Sequence, residues 1–553
     1  MAVATRSKAR EIRQNSKLFL PPELWNQICQ SLSIEEVCAL RLSCIAWSLG
    51  TYDYFADQLF HDFYLTLTSD GLRALEYVAG HEVFSAHVKR LWVIPTLFCG
   101  EYTWTPDDIH RHVEMLWARE RHQRQLASLR SLPGSSSRES ILPQKSIYHG
   151  RASLSKLANE RRHLVYKNAV LDHFQVLLSF PDTPSTGKPR FRDALERCLP
   201  FFSNLQTFGL RHCAGHPSDE TTKRYPMIVR GIRGLQDKLG FNPVLPDARQ
   251  NPAPCHTDLI SPGGTLLLSY VLSMLLAALG TTQTRVVALE TSEWIMVDDG
   301  LLLTRLEEEA VAPIFQQLQK ISVRIMSAHT QHIERWILRQ EEEGLTCLPQ
   351  GSVVWGEREN RTETANNRLL PLLAQAAPNL KSLCLDMRAN KLSLHRFLRD
   401  QSGLDLLDAH FEWVSENLKF CRLTQLSLQS IITTAPSFKR FLQTAIHTLK
   451  RLVLHSLILT SEYKPSSPGG LEHEYEGLRV WQEIFIYLRD NPRIQYFKIS
   501  HPGYQNGRLL LRDPIHDEPM PLPNSWVTRC YDISHDTITW GQWIDQLEIM
   551  IHW

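Results

Sequence analysis

The residue types that could carry out chemistry in this chain lack the companions that a catalytic or metal site needs. In HEVFSAH, residues 81–87, the histidines have the wrong spacing for a zinc-binding helix, and Cys213 with His216 lacks the second ligand pair of a closed zinc site. Ser153 and Lys156 form a Ser-x-x-Lys pattern with no companion motif. We therefore expect no catalytic residue, no metal and no cofactor.

Composition narrows the classes of partner. The 553 residues include 60 basic and 59 acidic ones, so no whole-chain field attracts nucleic acid or an anionic membrane. The 11 cysteines are scattered, which is typical of reduced intracellular thiols, and residues 1–17 are polar without the apolar core of a signal peptide. The longest apolar stretch, 265–279, is shorter than the roughly 20 residues of a membrane span. We expect a cytoplasmic or nuclear protein without membrane or nucleic-acid partners.

The segment after this leader predicts three short helices. Pro21 and Pro22 favour a helix start, and Ser33 with Glu36 has the spacing of a capping box that begins a second helix. Gly50 is expected to end that helix in the left-handed conformation, and a third helix follows it.

These helices carry more apolar surface than one small core can cover. About 40 residues rarely form a stable core without a partner. One apolar face should therefore dock on another protein, although packing on the rest of the same chain is an equal alternative. The apolar residues in question are Leu20, Leu24, Trp25, Ile28, Leu40 and Ile45.

The same residues resemble a known motif. LPPELWNQICQSL, followed by LRLSCIAW, resembles the F-box, whose pattern is Leu-Pro, then Glu, spaced apolar residues, and Leu-Arg-Leu-Val-Cys-Arg-x-Trp. Ser43 and Ile45 depart from it, standing where the motif has Val and Arg. LFHDFYLTL, which follows, is similar to the continuation seen in F-box proteins of filamentous fungi.

The resemblance implies the substrate-recognition subunit of an SCF-type cullin-RING ubiquitin ligase. The F-box would bind a Skp-type adaptor, and through it a cullin, while the remainder would bind a target protein. A scaffold that does not lead to degradation is one alternative, and an α/β enzyme without a recognisable motif is a less favoured one. The implied adaptor-binding residues are Leu20, Pro21, Leu24, Trp25, Ile28, Leu32, Leu40, Leu42, Ile45 and Trp47.

The remainder contains a recurring LxxLxL pattern that is typical of strands. It occurs at 380–385, 423–428 and 449–454, with looser copies at 205–210, 286–289 and 494–499 and a possible first member around Leu91. Helices are expected at 266–279, 368–377, 438–446 and 478–488. The pattern is similar to leucine-rich repeats, although it is irregular: 26 residues separate Leu423 from Leu449, whereas 43 separate Leu380 from Leu423.

We therefore predict a mainly α chain with α/β repeats, in which a three-helix F-box precedes an irregular leucine-rich-repeat-like solenoid. A non-repeat α/β domain is the alternative. In the tail, a helix is expected over 540–553, where it would cap the array or pack across a neighbouring face with Trp540, Trp543 and Ile544 inward. The predicted regions are a leader (1–17), the F-box (18–62), the repeat region (63–500) with insertions near 131–150, 242–264 and 462–477, and the tail (501–553).

Overall fold

The structure is a computed structural model of the 553-residue chain. It describes residues 20–95, 156–177, 189–211, 229–239, 262–292, 295–298, 300–301, 303–326, 369–387, 411–460, 471–491, 493–504, 507–512, 529–534, 538–545 and 548–552.

The helices are numbered in chain order. They are α1 (Pro22–Gln30), α2 (Ile34–Ser43), α3 (Ile45–Gly50), α4 (Tyr52–Phe60), α5 (Ser69–Ala79), α6 (Glu82–His87), α7 (Lys156–Leu177), α8 (Arg190–Cys198), α9 (Arg233–Leu239), α10 (Pro262–Thr282), α11 (Arg305–Gln317), α12 (Leu369–Ala376), α13 (Ala435–Ala445), α14 (Leu471–Arg489) and α15 (Trp540–Asp545).

The strands are numbered in the same way. They are β1 (Asp62–Thr66), β2 (Arg90–Ile94), β3 (Thr207–Leu210), β4 (Val229–Arg230), β5 (Ala288–Thr291), β6 (Val297–Asp298), β7 (Lys320–Met326), β8 (Ser382–Asp386), β9 (Gln425–Gln429), β10 (Ile432–Thr434), β11 (Arg451–His455), β12 (Ile458–Thr460), β13 (Tyr496–Ser500), β14 (Gly503–Tyr504), β15 (Gly507–Arg512), β16 (Arg529–Asp532) and β17 (Glu548–His552).

The chain divides into two compact units. The amino-terminal unit comprises Met1–Gln206 and His212–Asn251, and the carboxy-terminal unit comprises Thr207–Arg211 and Pro252–Trp553.

In the amino-terminal unit, β2, β1 and β4 pair side by side and in parallel. Gly231, which follows β4, has a φ of +84°, and a Cβ atom there would lie 2.3 Å from the Gly71 nitrogen. Only glycine permits both this backbone conformation and this close approach to α5. Arg230 closes the sheet edge by donating to the Leu59 carbonyl oxygen at 2.7 Å, and burial lowers the pKa of Arg230 to about 10.

In the carboxy-terminal unit, β3, β5, β7, β8, β9, β11 and β13 follow one another in a parallel sheet, and β16 joins β13 in the antiparallel sense. The pairing register aligns the apolar residues of successive strands: Leu383, Leu426, Leu452 and Phe497 form one buried row. Apart from Asp386, which is buried, the alternate residues of β8, β9 and β11 are half-buried or exposed. One face of the sheet is therefore apolar core, and the other is polar.

A second, five-stranded sheet lies in the same unit. Its order is β10, β12, β14, β15 and β17, with parallel pairs first and antiparallel pairs after β14. The tail contributes β17, and Trp540, Trp543 and Ile544 on α15 are buried. The tail also contains β14, β15 and β16, and its last segment is a helix followed by a strand and not the single helix expected over 540–553.

The strands and helices expected from LxxLxL are present, but the predicted fold class is wrong. The structure has strands at all seven pattern positions and helices over all four expected ranges. However, both units are built on mostly parallel sheets with helices, which is an α/β architecture and not a mainly α chain with a repeat solenoid. A solenoid stacks each repeat on its chain neighbour, whereas β4 pairs with β1 across more than 150 residues.

Parts of the predicted insertions are helical. The helices α10 and α14 begin inside the ranges 242–264 and 462–477. The leader 1–17, the insertion 131–150 and the residues of the other two insertions before Pro262 and Leu471 lie outside the described residues. Among the residues that are described, no helix is both long and apolar enough to cross a membrane.

A buried histidine lies in the interior of the amino-terminal unit. His173 on α7 is 2% exposed, and its Nδ1 lies 2.8 Å from the Leu67 carbonyl oxygen. Burial lowers its pKa to about 4, although the hydrogen bond to Leu67 and the charge of Asp172 act in the opposite direction. The folded protein therefore keeps this imidazole neutral at pH values where an unfolded histidine takes up a proton.

We expect acid to destabilise the amino-terminal unit through His173. The pKa of His173 is lower in the folded protein than in the unfolded chain, where it is about 6.5. Its contribution to the free energy of unfolding is therefore complete above pH 6.5 and is lost as the pH falls towards about 4. The slope reaches about 1.4 kcal/mol per pH unit within that window. Urea unfolding, followed by tryptophan fluorescence at several pH values, measures the free energy of unfolding. As the pH falls, this free energy should decline less steeply for His173→Gln than for the unsubstituted protein. An identical decline in both proteins contradicts this role.

Candidate adaptor-binding surface

The start of the second helix is fixed by a reciprocal hydrogen-bond pair. The Glu36 nitrogen donates to Ser33 Oγ at 3.3 Å, and the Ser33 nitrogen donates to Glu36 Oε2 at 2.7 Å. This confirms the capping box that the sequence predicts. The hydrogen bonds from Ser33 also lower the pKa of the Glu36 carboxyl group. They stabilise the carboxylate form, which the helix N-terminus also favours.

A break divides the expected second helix into two. α2 ends at Ser43, Cys44 is extended with φ −162° and ψ 165°, and α3 begins at Ile45. The region from Pro22 to Phe60 therefore contains four helices instead of the predicted three. The break changes the direction of the chain between Leu42 and Ile45, and both of these side chains are exposed.

The arginine of the Leu-Arg-Leu segment connects the elements on either side of the break. Arg41 Nη1 donates to the Ser48 carbonyl oxygen at 2.8 Å, which links α2 to α3. Its guanidinium carbon lies 4.0 Å from the centre of the Phe55 ring and 5.1 Å from that of Tyr52, both on α4. Burial lowers the pKa of Arg41. Sequence reasoning placed Arg41 on the motif but found no role for it.

The interior of these helices is already filled. Trp25, Cys29 and Val37 are each at most 2% exposed, and the Trp25 ring packs edge-on against Trp47 with 4.5 Å between centroids. Trp25 is among the predicted adaptor-binding residues. It is buried within its own chain and supports the surface from below.

Gly50 is required by Trp25 and not by a left-handed conformation. A Cβ atom on Gly50 would lie 2.3 Å from Trp25 Cε2. Among the described glycines, Gly231 is the one with a positive φ, so the predicted left-handed helix end at Gly50 is wrong. The small residue is needed because the tryptophan ring lies directly against the backbone of α3.

Three large apolar side chains of this region remain exposed to solvent: Leu24 at 43%, Leu42 at 88% and Ile45 at 67%. We call these three residues the apolar surface. The described residues of the chain leave these three side chains uncovered, whereas packing on the same chain was the alternative to a second protein. The other predicted adaptor-binding residues are exposed (Pro21) or half-buried (Leu20, Ile28, Leu32, Leu40 and Trp47).

The histidines that the sequence singled out make structural contacts. The His81 ring stacks on Phe84 with 3.9 Å between centroids, and His87 Nδ1 lies 3.8 Å from Asp57 Oδ1. Hydrogen bonds to His61 and His87 hold the pKa of Asp57 well below its usual range. Within the described residues no group of three potential metal ligands occurs. Cys213, His216 and Ser153 lie outside those residues.

Comparison with known proteins gives no family assignment. No model of a known protein family matches the chain, and no curated protein matches it.

We expect Gly50→Ala to destabilise the four-helix region by about 1–3 kcal/mol, the usual cost of overpacking. The added methyl group must displace the Trp25 ring, so combining Gly50→Ala with Trp25→Leu should cost less than the sum of the single changes. Thermal unfolding followed by circular dichroism measures this. Gly234→Ala is the control, because its Cβ would meet nothing closer than 3.6 Å. Equal Tm values for both alanine variants contradict the argument.

Proposed function

We propose that this chain is the substrate-recognition subunit of an SCF-type cullin-RING ubiquitin ligase in the cytoplasm or nucleus. The helices α1 to α4 bind a Skp-type adaptor, and through it a cullin, and the carboxy-terminal unit binds a target protein. The exposure of Leu24, Leu42 and Ile45 is the observation that carries the proposal.

The energetic argument rests on what the helices already bury. Trp25, Cys29 and Val37 fill their interior, so Leu42 and Ile45 are not needed for internal packing. Fully burying a leucine or isoleucine side chain stabilises a protein or a complex by about 1.5–3 kcal/mol. The isolated chain does not gain this free energy at Leu42 and Ile45, because both side chains are exposed. Large apolar side chains in a small exposed area are typical of protein interfaces, where a few such residues supply most of the affinity.

The proposed activity needs no catalytic group in this chain. A receptor that holds both the adaptor and the target brings an acceptor lysine close to a ubiquitin-conjugating enzyme. Such tethering typically gives effective concentrations on the order of millimolar. Proximity and orientation are then the whole contribution of this subunit to catalysis.

Replacing Leu42 and Ile45 together by Asp should abolish co-purification with a Skp-type adaptor. The substitutions place two charges in the desolvated centre of the interface, and an unpaired buried charge costs several kcal/mol. We expect affinity measured by calorimetry to fall by at least a hundredfold. Folding should be retained, because the side chains are 88% and 67% exposed.

The matched control is Leu306→Asp with Ile486→Asp. These residues lie on α11 and α14, are 77% and 49% exposed, and give the same change in charge. Adaptor binding should be unchanged in this variant. If Leu42→Asp with Ile45→Asp also leaves binding unchanged, the apolar surface is not the adaptor site. An adaptor complex that excludes the cullin contradicts the ligase role.

A further inference from the structure

Basic side chains follow the edge of the carboxy-terminal unit's parallel sheet at which its strands begin. They stand in the short segments that immediately precede β5, β8, β9, β11 and β13, and all of them are exposed. We call this set the basic edge. It consists of Arg285, Lys381, Arg422, His447, Lys450 and Arg493.

A ladder of backbone hydrogen bonds fixes the spacing of these segments. Each bond links one segment to the next across β5, β7, β8, β9, β11 and β13, and neighbouring strands are about 4.8 Å apart. Five steps therefore span about 24 Å. The bonds, from nitrogen to oxygen, are Gln319 to Val287 (2.8 Å), Lys381 to Gln319 (2.8 Å), Thr424 to Lys381 (2.9 Å), Lys450 to Thr424 (2.9 Å) and Gln495 to Lys450 (2.8 Å).

Two open cavities lie along the basic edge. The larger, of about 510 Å³, is lined by Arg422, His447, Lys450 and Arg493 among others. The smaller, of about 340 Å³, is lined by Arg285, Lys381 and Arg422, so Arg422 belongs to both. No aspartate or glutamate is among the described residues that line either cavity.

The charges of the basic edge are not neutralised by neighbouring carboxylates. Within the described part of the chain, Arg285, Lys381, Arg422 and Lys450 form no ion pair. Other basic residues of this unit do form ion pairs; for example, Arg440 Nη1 lies 2.8 Å from Glu416 Oε1. Arg493 donates to the His447 carbonyl oxygen, which orients its side chain but does not neutralise its charge.

We propose that the basic edge binds an extended, acidic segment of a target protein. The description of the bound protein as a target rests on the proposed function. The binding of the acidic segment itself does not require the adaptor. At about 3.4 Å per residue, an extended chain of seven residues covers the 24 Å of the edge. Lysine and arginine side chains pair with carboxylates, and the exposed amides of Gln317, Gln319 and Gln495 can hydrogen-bond to a peptide backbone.

The spacing and the lining favour a peptide over a nucleic acid. The five lysine and arginine side chains of the basic edge lie along about 24 Å, roughly one per 5 Å, which is sparser than the charge every 1.7 Å or so along duplex DNA. The described residues lining the two cavities include no phenylalanine, tyrosine or tryptophan side chain on which a base could stack. The edge instead offers Val287 and Ile533, 40% and 58% exposed, for apolar contact. The net charge of the whole chain is only +1, so long-range attraction to a polyanion is weak.

The test uses the full chain and a fluorescein-labelled peptide of eight alternating glutamates and serines, followed by fluorescence anisotropy. We expect saturable binding that weakens as salt is raised, and at least tenfold weaker binding of the same peptide with glutamine in place of glutamate. The triple variant Lys381→Glu, Arg422→Glu and Lys450→Glu should lose at least tenfold in affinity. The three side chains are exposed, so the variant should fold, and circular dichroism checks this.

The control triple is Lys167→Glu, Arg190→Glu and Lys238→Glu in the amino-terminal unit. These residues are also exposed, and the variant changes the net charge by the same amount. Peptide binding should stay within twofold of the unsubstituted chain. Equal losses in both triples, or no glutamate-specific binding at all, overturn the proposal. Tighter binding of a single-stranded oligonucleotide of equal charge also overturns it. The adaptor complex should survive the Lys381 triple, so failure here is distinct from failure of the proposed function.

Discussion

The register of the parallel strands is the constraint on which the carboxy-terminal unit depends. Successive side chains of a strand point to opposite faces, so a slip of one residue would move every leucine of that strand to the polar face. Leu385, Leu428, Leu454 and Ile499 are aligned and fully buried, and such a slip would expose them. The same register stacks the segments that precede the strands. The alignment of the basic edge is therefore a consequence of burying the leucines.

Polar contacts at the opposite ends of the strands reinforce this register. Arg324 Nε on β7 lies 3.2 Å from Asp386 Oδ2 on β8, and Arg324 Nη2 lies 3.4 Å from Gln429 Oε1 on β9. Asp386 is 1% exposed, and removing one partner of a buried pair typically costs about 3–5 kcal/mol. Further along, His455 Nδ1 lies 2.8 Å from Ser500 Oγ. Each contact joins residues that the register places on adjacent or nearby strands, so a slipped sheet would lose them.

Short sequence patterns predicted the local structure correctly, but they did not predict which strands pair when the strands are far apart in the sequence. The capping box at Ser33 and the strands at LxxLxL depend on neighbours within a few residues, and both are present. The strand β7, ISVRIM, alternates in the same way but has no leucine, so the pattern missed it. Alternation shows that a strand is half-buried, not which strand lies beside it. The pairing of β4 with β1 was therefore beyond the sequence, and the solenoid inference failed there.

At the candidate adaptor-binding surface, too, the sequence predicted local features but not those that depend on packing between elements. The sequence predicted more apolar residues than one core can cover; two of them, Leu24 and Ile45, are exposed, and so is Leu42. It could not divide them between interior and surface, because that depends on the break at Cys44 and on the approach of Trp25 to α3. Trp25, which the sequence grouped with the adaptor-binding residues, is buried inside these helices.

The two proposed binding surfaces differ in physical character, and this difference suits the two tasks. Contacts through Leu42 and Ile45 would gain from desolvation, which salt hardly weakens, and a gain in affinity mostly appears as a lower dissociation rate. Contacts through exposed lysines and arginines are screened over about 8 Å at physiological ionic strength, and they affect the rate of encounter more than the lifetime of the complex. A receptor needs a lasting hold on its adaptor and rapid exchange of its targets. In the proposed receptor, an apolar surface near the start of the chain and a charged edge on the carboxy-terminal sheet would provide these two properties separately.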